Sequence, residues 1–136
     1  MSKGFGGWCY ITEEDNNKVI YQYGAYNFND PKYRNEEHVA DGMIIIDKNS
    51  LIEPDIHEKI KRFPDGKKKL VVKRIVVKVP YKELYENRKI QIQNCSVCWK
   101  TVIEDGRDFI AWNLIWKIFT EYQEEGCLPE KVSYYV

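Results

Sequence analysis

Two neighbouring segments near the N-terminus alternate between apolar and polar positions, and this period of two constrains the fold more than any other feature. Residues 8–13 alternate first, and residues 18–26 alternate again after the turn-forming sequence Asp15-Asn16-Asn17. Successive side chains of a strand point to opposite faces, so each segment presents one apolar face. The pattern therefore predicts a β-hairpin.

Proline, glycine and short polar runs separate the elements that follow. The sequence predicts a strand at 43–46, a helix at 50–63, a strand at 69–79, a short helix at 81–88, a strand at 89–103 with a bulge near Asn94, and a final strand at 132–136. The helix at 50–63 is predicted because Ile52, Ile56, Ile60 and Phe63 recur near helical spacing. Residues 27–37 form a polar loop, longer than the usual connection of about 4–6 residues.

The most extensive helical pattern lies near the C-terminus and ends at about Glu125. Asp105 can cap its start, Asp108 favours the positive end of its dipole, and Gly126 supplies the left-handed residue that ends it. The residues expected to meet the core are Ala111, Ile115, Ile118 and Tyr122. The apolar arc covers about two-thirds of this helix, wider than the single stripe that packs on one sheet. Either another element of the chain or a partner must cover the excess.

These elements show hairpins, no regular alternation of strand and helix, and no internal repeat or linker. We therefore expect residues 1–136 to form a single α+β domain. Its sheet is predicted to be mostly antiparallel, with five to six strands. About three helices accompany it, and the long C-terminal helix is expected to pack on the sheet.

The charge balance disfavours some classes of partner. Twenty-one Lys and Arg match 21 Asp and Glu, so the chain is formally neutral and lacks the excess positive charge typical of polyanion binders. The basic segment between Lys67 and Lys78 is the only sequence hint of nucleic-acid binding, and lysines also protect exposed strands from aggregation. The N-terminal residues form no apolar signal core, and no apolar run is long enough to span a bilayer. We therefore expect a cytoplasmic protein without membrane association.

Four cysteines raise the question of a metal site. Cys95 and Cys98 have the C-x-x-C spacing of a zinc half-site, which Cys9 and Cys127 could complete. However, the pair lies in a predicted strand without Gly or Pro, where positions three apart point to opposite faces. The sequence therefore predicts free thiols, with neither metal nor cofactor, and zinc remains the weaker alternative.

Two groups of residues are candidates for a partner surface. The first is the aromatic flank of the last helix, where Phe109, Trp112 and Trp116 lie between the core-facing side and the polar face. The second is the long loop and its entry, which carry Tyr26, Phe28, Tyr33 and Arg34. Tyr, Trp and Arg are enriched in binding hot spots. In each case, the alternative is that the rings pack within the same chain.

The preferred functional hypothesis is a small non-catalytic protein that acts through a protein–protein surface, as an inhibitor or immunity-type module or as a homodimer. No recognised catalytic or nucleotide-binding motif occurs in the chain. The alternative is an enzyme or small-molecule binder whose pocket is lined by rings such as Tyr21, Tyr23 and Trp99. Cys95 or His38 would then be its chemical group. The second histidine, His57, is expected at the edge of an exposed helix face.

Overall fold

The computed structural model describes residues 3–97 and 106–135. It shows the predicted single α+β domain, with a five-stranded antiparallel sheet, a separate two-stranded sheet and two α-helices in the described part. The strands are β1 Phe5–Glu14, β2 Lys18–Asn27, β3 Gly42–Asp47, β4 Asp55–Arg62, β5 Lys68–Ile75, β6 Ile90–Gln93 and β7 Lys131–Tyr135; the helices are α1 Tyr81–Glu86 and α2 Phe109–Glu125. The order of the large sheet is β6-β3-β2-β1-β7.

The predicted hairpin is confirmed as β1 and β2, which pair antiparallel from Phe5 opposite Asn27 to Glu14 opposite Val19. The Asp15 carboxylate closes the turn by accepting hydrogen bonds from the backbone N–H groups of Asn17 (2.7 Å) and Lys18 (2.8 Å). Aspartate is favoured in turns because its short side chain can bond to the backbone two residues further on. The hairpin supplies β2, the central strand of the five, and its neighbour β1.

The long C-terminal helix packs on one face of the large sheet, as predicted. Asp108 is its N-cap, and its carboxylate accepts a hydrogen bond from the Ile110 N–H at 2.9 Å. Gly126 ends the helix in the left-handed conformation, with φ of 81°. The buried apolar residues of α2 are Ile110, Ala111, Leu114, Ile115, Ile118 and Phe119, whereas Tyr122 is only half-buried.

A buried polar cluster joins α2 to the sheet. The Tyr23 hydroxyl donates to Asp108 Oδ2 at 3.1 Å and accepts from the Cys95 backbone N–H at 3.0 Å. The Cys95 thiol lies 3.7 Å from the same carboxylate oxygen. Tyr21 is also fully buried, and its hydroxyl donates to the Pro129 carbonyl at 2.5 Å. Both tyrosines thus satisfy their polar ends inside the core, as burial requires.

The predicted helix at 50–63 is wrong, because residues 55–62 form strand β4. Ile52, Ile56 and Ile60 recur every four positions, and a spacing of four is a multiple of two, so it fits one face of a strand as well as a helix. The strand is specified by its partner, since β4 pairs with β5 along its whole length, from Asp55–Ile75 to Arg62–Lys68. The turn Pro64-Asp65-Gly66 connects the two strands, and Gly66 has a φ of 84°.

Two strand ends and the bulge near Asn94 also differ from the prediction. β5 ends at Ile75 rather than at residue 79, and β6 ends at Gln93 rather than continuing to 103. Asn94 forms no bulge, because the strand has ended and its side chain bonds to the Gly106 carbonyl and the Asp108 N–H. Residues 98–103 of the predicted strand lie outside the described residues, as does the cap predicted at Asp105. Within the described chain, no helix has both the length and the apolar character needed to cross a membrane.

Candidate binding surface

The strongest candidate site lies on the face of the large sheet that points away from α2. Cys9 of β1 and Ala25 of β2 are buried in the core, so Trp8 and Tyr26, one position along each strand, point to the opposite face. The same alternation directs Tyr135 of β7 outward, because Val132 faces the core and lies three positions away. Three neighbouring strands thus place aromatic rings on one surface.

These rings surround a pocket of about 380 Å³. Its lining consists of Gly7, Trp8, Tyr26, Phe28, Arg34, Asn35, His38, Ser133 and Tyr135. Tyr26 stacks on Phe28 with ring centroids 4.7 Å apart, and on Trp8 at 6.4 Å. Phe28 is 58% exposed and Tyr135 is 70% exposed, so the rings present open faces to a ligand. We call this site the aromatic pocket.

The loop that carries one wall of the aromatic pocket is fixed by Asn35. The Asn35 amide donates to the carbonyls of Ala25 and Val39, both at 2.9 Å, and accepts from the Val39 N–H at 2.8 Å. Asn35 and His38 both have a φ of 54°, in the left-handed region that asparagine and histidine adopt more readily than most residues. This conformation sets the His38 ring edge-on to Trp8, with centroids 6.1 Å apart.

Gly24 makes room for this arrangement on the outer face of β2. A Cβ at this position would lie 2.4 Å from the Val39 carbonyl oxygen and 2.9 Å from the Trp8 ring. Both distances are far below van der Waals contact, so only glycine allows the loop and the indole to approach the strand this closely. The pocket therefore depends on a residue that does not itself line it.

The charged side chains that line the aromatic pocket are of one sign. Arg34 and His38 line it, and the described lining contains no Asp, Glu or Cys. Burial raises the pKa of Tyr26, and the neighbouring Tyr135 raises it further, so the Tyr26 hydroxyl remains protonated and can donate a hydrogen bond at neutral pH. The site therefore combines aromatic faces with donors and a cation, which suits an apolar group next to an acidic one.

The structure brings together three of the four loop residues predicted from the sequence. Tyr26, Phe28 and Arg34 line the aromatic pocket, whereas Tyr33 belongs to a short 3₁₀ turn, Pro31–Tyr33, and is half-buried outside the lining. The sequence patterns did not predict that Trp8, His38 and Tyr135 also belong to this surface. Gly24, a glycine inside an otherwise regular strand pattern, is the sequence signal that could have indicated a close approach here.

The predicted aromatic flank of α2 divides into two parts. Trp112 is covered within the chain, since Tyr81 and Tyr85 pack edge-on to it and the Arg107 guanidinium lies 4.8 Å from its ring centroid. Phe109 and Trp116 remain 43% and 53% exposed. Because α2 packs on the inner face, these two rings and the aromatic pocket lie on opposite sides of the sheet. They are separate surfaces.

The thiols do not assemble a metal site in the described part of the chain. Cys9 and Cys95 are buried and Cys127 is exposed, and no group of three or more His, Cys, Asp or Glu residues has the arrangement of a metal site there. Burial raises the pKa of Cys9 to about 12, which keeps its thiol protonated at neutral pH. Cys98 lies outside the described residues.

The residues predicted to form the alternative pocket are not brought together by the fold. Tyr21 and Tyr23 are completely buried and form part of the core rather than a pocket wall. Cys95 lies in the buried cluster on the inner side of the sheet, whereas His38 lies against Trp8 on the outer side. Trp99 is outside the described residues, and His57 is an exposed residue of β4.

Comparisons with protein-family models, with curated proteins and with solved structures find no match to this chain. The proposals below therefore rest on the geometry of the site and on physical principles.

Proposed function

We propose that this protein is a non-catalytic binding protein whose aromatic pocket receives one apolar or aromatic side chain of a protein partner, flanked in the partner by an acidic residue. The supporting observation is the composition of the pocket: four ring faces, one arginine and one histidine, with no carboxylate in the described lining. A partner anchor of this kind would bury its ring among Trp8, Tyr26 and Phe28. Its carboxylate would lie beside Arg34.

The energetics favour such an anchor. Aromatic residues bury about 150–250 Å² each and gain about 0.5–1.5 kcal/mol beyond area burial when their rings pair offset or edge-on. The open faces of Phe28 and Tyr135 offer both geometries. A hydrogen bond from Arg34 to a carboxylate adds further stabilisation and, more importantly, selects acidic sequences over basic ones.

The fixed loop supports a binding role. Asn35 and His38 occupy a left-handed conformation that costs free energy, and such positions cluster at ligand-binding sites, where they preorganise a surface. A wall held by three Asn35 hydrogen bonds loses little conformational entropy when a partner binds. The pocket is therefore built before the partner arrives.

Selection from a random-peptide display library against the immobilised protein tests this proposal. We expect enrichment of peptides in which an aromatic or large aliphatic residue lies next to Asp or Glu. The Phe28→Ser variant should lose most of the selected binders, because it removes an exposed ring of the pocket and disturbs no core contact.

Phe109→Ser is the matched control, since it removes a similarly exposed ring from the opposite side of the sheet. Selected peptides should bind this variant as tightly as the wild type. The proposal fails if the selected peptides bind wild type and Phe28→Ser equally, or if their consensus is basic.

A further inference from the structure

Residues 55–75, which we call the arm, form a two-stranded ribbon that is exposed along its entire length. Every residue of β4 and β5 is exposed, although each strand has eight residues and spans about 27 Å. An isolated two-stranded ribbon is at best marginally stable in water, and usually needs another surface to pack against. The arm therefore raises the question of what covers it.

The register gives the arm two different faces, because directly paired residues of antiparallel strands point to the same side. One face carries Ile56, Ile60, Leu70 and Val72, and each of these side chains is more than half exposed. Glu58 and Arg74 lie on the same face, which we call the apolar face because its four apolar side chains predominate. The same face ends, towards the turn, in the pair Arg62–Lys68. The opposite face carries Lys59, Lys61, Lys69 and Lys73.

The charge of the whole chain is divided between the arm and the rest. Residues 55–75 contain eight Lys and Arg against three Asp and Glu, a net charge of +5. Because the complete chain is neutral, the remaining residues carry a net charge of −5. Part of this negative charge lies at the C-terminal end of α2, where Glu124 and Glu125 are exposed.

The base of the arm is fastened to this same end of α2. The buried Gln123 side chain accepts from the Val77 N–H at 2.7 Å and donates to the Val77 carbonyl at 3.2 Å. On the β4 side, the Tyr122 hydroxyl donates to the carboxylate of Glu53, two residues before that strand begins. Arg74, at the base of the apolar face, also donates to the Gln123 carbonyl at 3.5 Å. The four apolar side chains of that face nevertheless remain more than half exposed.

We infer that two copies of this chain associate reciprocally through their arms. The apolar face of each arm lies on the exposed Phe109 and Trp116 of the second copy, and Arg62 and Lys68 approach Glu124 of that copy. Charge complementarity supports this occupant, because the arm carries +5 and the surface it meets belongs to a body that carries −5. Exchange between identical chains is self-complementary, as a two-fold dimer requires.

The apolar row of the arm and the exposed rings of α2 are of similar length. Ile56 and Ile60 are four residues apart on a strand, about 14 Å, and Phe109 and Trp116 are seven residues apart on a helix, about 10 Å. Duplex DNA is the rival occupant, because a basic two-stranded ribbon fits the major groove. DNA would leave the four apolar residues uncovered and would face a body of net negative charge, so the second copy is favoured.

Sedimentation equilibrium between 1 and about 100 µM tests the inference. The wild type should show twice the 16.2 kDa mass of one chain. Ile60→Thr combined with Leu70→Thr should raise the dimer dissociation constant by at least about 30-fold, because four anchor side chains are lost per dimer. Threonine retains strand propensity, so the arm itself should persist.

Val71→Thr is the matched control, because Val71 belongs to the same strand but lies on the opposite face. It should leave the dissociation constant within about twofold. Arg62→Glu with Lys68→Glu should weaken the dimer, and mixing this chain with Glu124→Lys should restore association.

A monomeric wild type at about 100 µM overturns the inference, and so does a dimer unaffected by the Ile60/Leu70 change. A monomer whose arm lysines bind a 20-base-pair duplex identifies DNA as the occupant instead. Phe28→Ser should not change the mass, so failure of this inference and failure of the proposed pocket function are distinguishable.

Discussion

Replacement of Asp108 should reveal how strongly the long helix is fastened to the sheet. Its carboxylate is completely buried and, besides the weak contact from the Cys95 thiol, has two separable tasks. Oδ1 caps α2 by accepting from the Ile110 N–H at 2.9 Å, and Oδ2 accepts from the Tyr23 hydroxyl at 3.1 Å. Because these partners differ, variants of different length can remove one task or both.

Asp108→Ala removes both tasks. Loss of an N-cap costs about 1 kcal/mol, and a buried hydroxyl left without an acceptor costs about 1–3 kcal/mol. We therefore expect Asp108→Ala to lower the free energy of unfolding by about 3 kcal/mol, a large share of the 5–15 kcal/mol typical of a domain. Asp108→Ser retains a capping oxygen but is too short to reach Tyr23, so it should cost about 2 kcal/mol.

Urea unfolding followed by far-UV circular dichroism measures both values. In a Tyr23→Phe background, Asp108→Ala should cost only about 1 kcal/mol, because the hydroxyl that needed an acceptor has been removed. The reasoning is refuted if Asp108→Ala lies within about 0.5 kcal/mol of wild type, or if its cost is the same with Tyr23 and with Phe at that position.

Three further predictions concern the pocket, the base of the arm and the response to pH. Gly24→Ala should destabilise the fold by about 1–3 kcal/mol through overpacking and should alter the indole N–H chemical shift of Trp8, measured by NMR; an unchanged shift would contradict the close approach at this strand. Gln123→Met keeps the side-chain volume but leaves the Val77 N–H and carbonyl without partners, so urea unfolding should show a free energy of unfolding lower by about 1–2 kcal/mol. An unchanged free energy of unfolding would show that Gln123 does not hold the base of the arm. Burial raises the pKa of Cys9 from its ordinary value of 9.0 to about 12, so the stabilisation present below pH 9 should be lost as the pH rises towards 12. Cys9→Ala should reduce the slope of stability against pH in that range by up to about 1.4 kcal/mol per pH unit, whereas identical slopes would argue against a buried protonated thiol.

The sequence predicts those elements whose signals are local. The hairpin of β1 and β2 follows from alternation and turn residues within one segment, and α2 follows from its apolar arc between Asp108 and Gly126. The helix at 50–63 was wrong because spacing alone does not separate a period of four on a strand from a helix. The decision depended on pairing with β5 across the turn, which is a property of two segments.

The candidate site was predictable only in part, for the same physical reason. Tyr26, Phe28 and Arg34 are close in sequence, so their clustering is visible before folding. Trp8 and Tyr135 join them only because β1 lies between β2 and β7 in the sheet, an order that no local pattern specifies. Likewise, Trp112 is covered by Tyr81 and Tyr85 of α1, which precede it by about thirty residues of chain.

The most direct test of the central claim is the indole N–H chemical shift of each tryptophan during titration with the blocked dipeptide acetyl-Asp-Phe-amide. Binding in the aromatic pocket predicts that the Trp8 signal shifts and saturates at millimolar concentration, while the signals of Trp112 and Trp116 stay in place. Arg34→Gln should weaken this binding by about three- to fivefold, as expected for an exposed charge pair, and acetyl-Lys-Phe-amide should bind more weakly than the acidic probe. A Trp8 signal that does not move, or that moves equally with both dipeptides and with Arg34→Gln, would contradict the account.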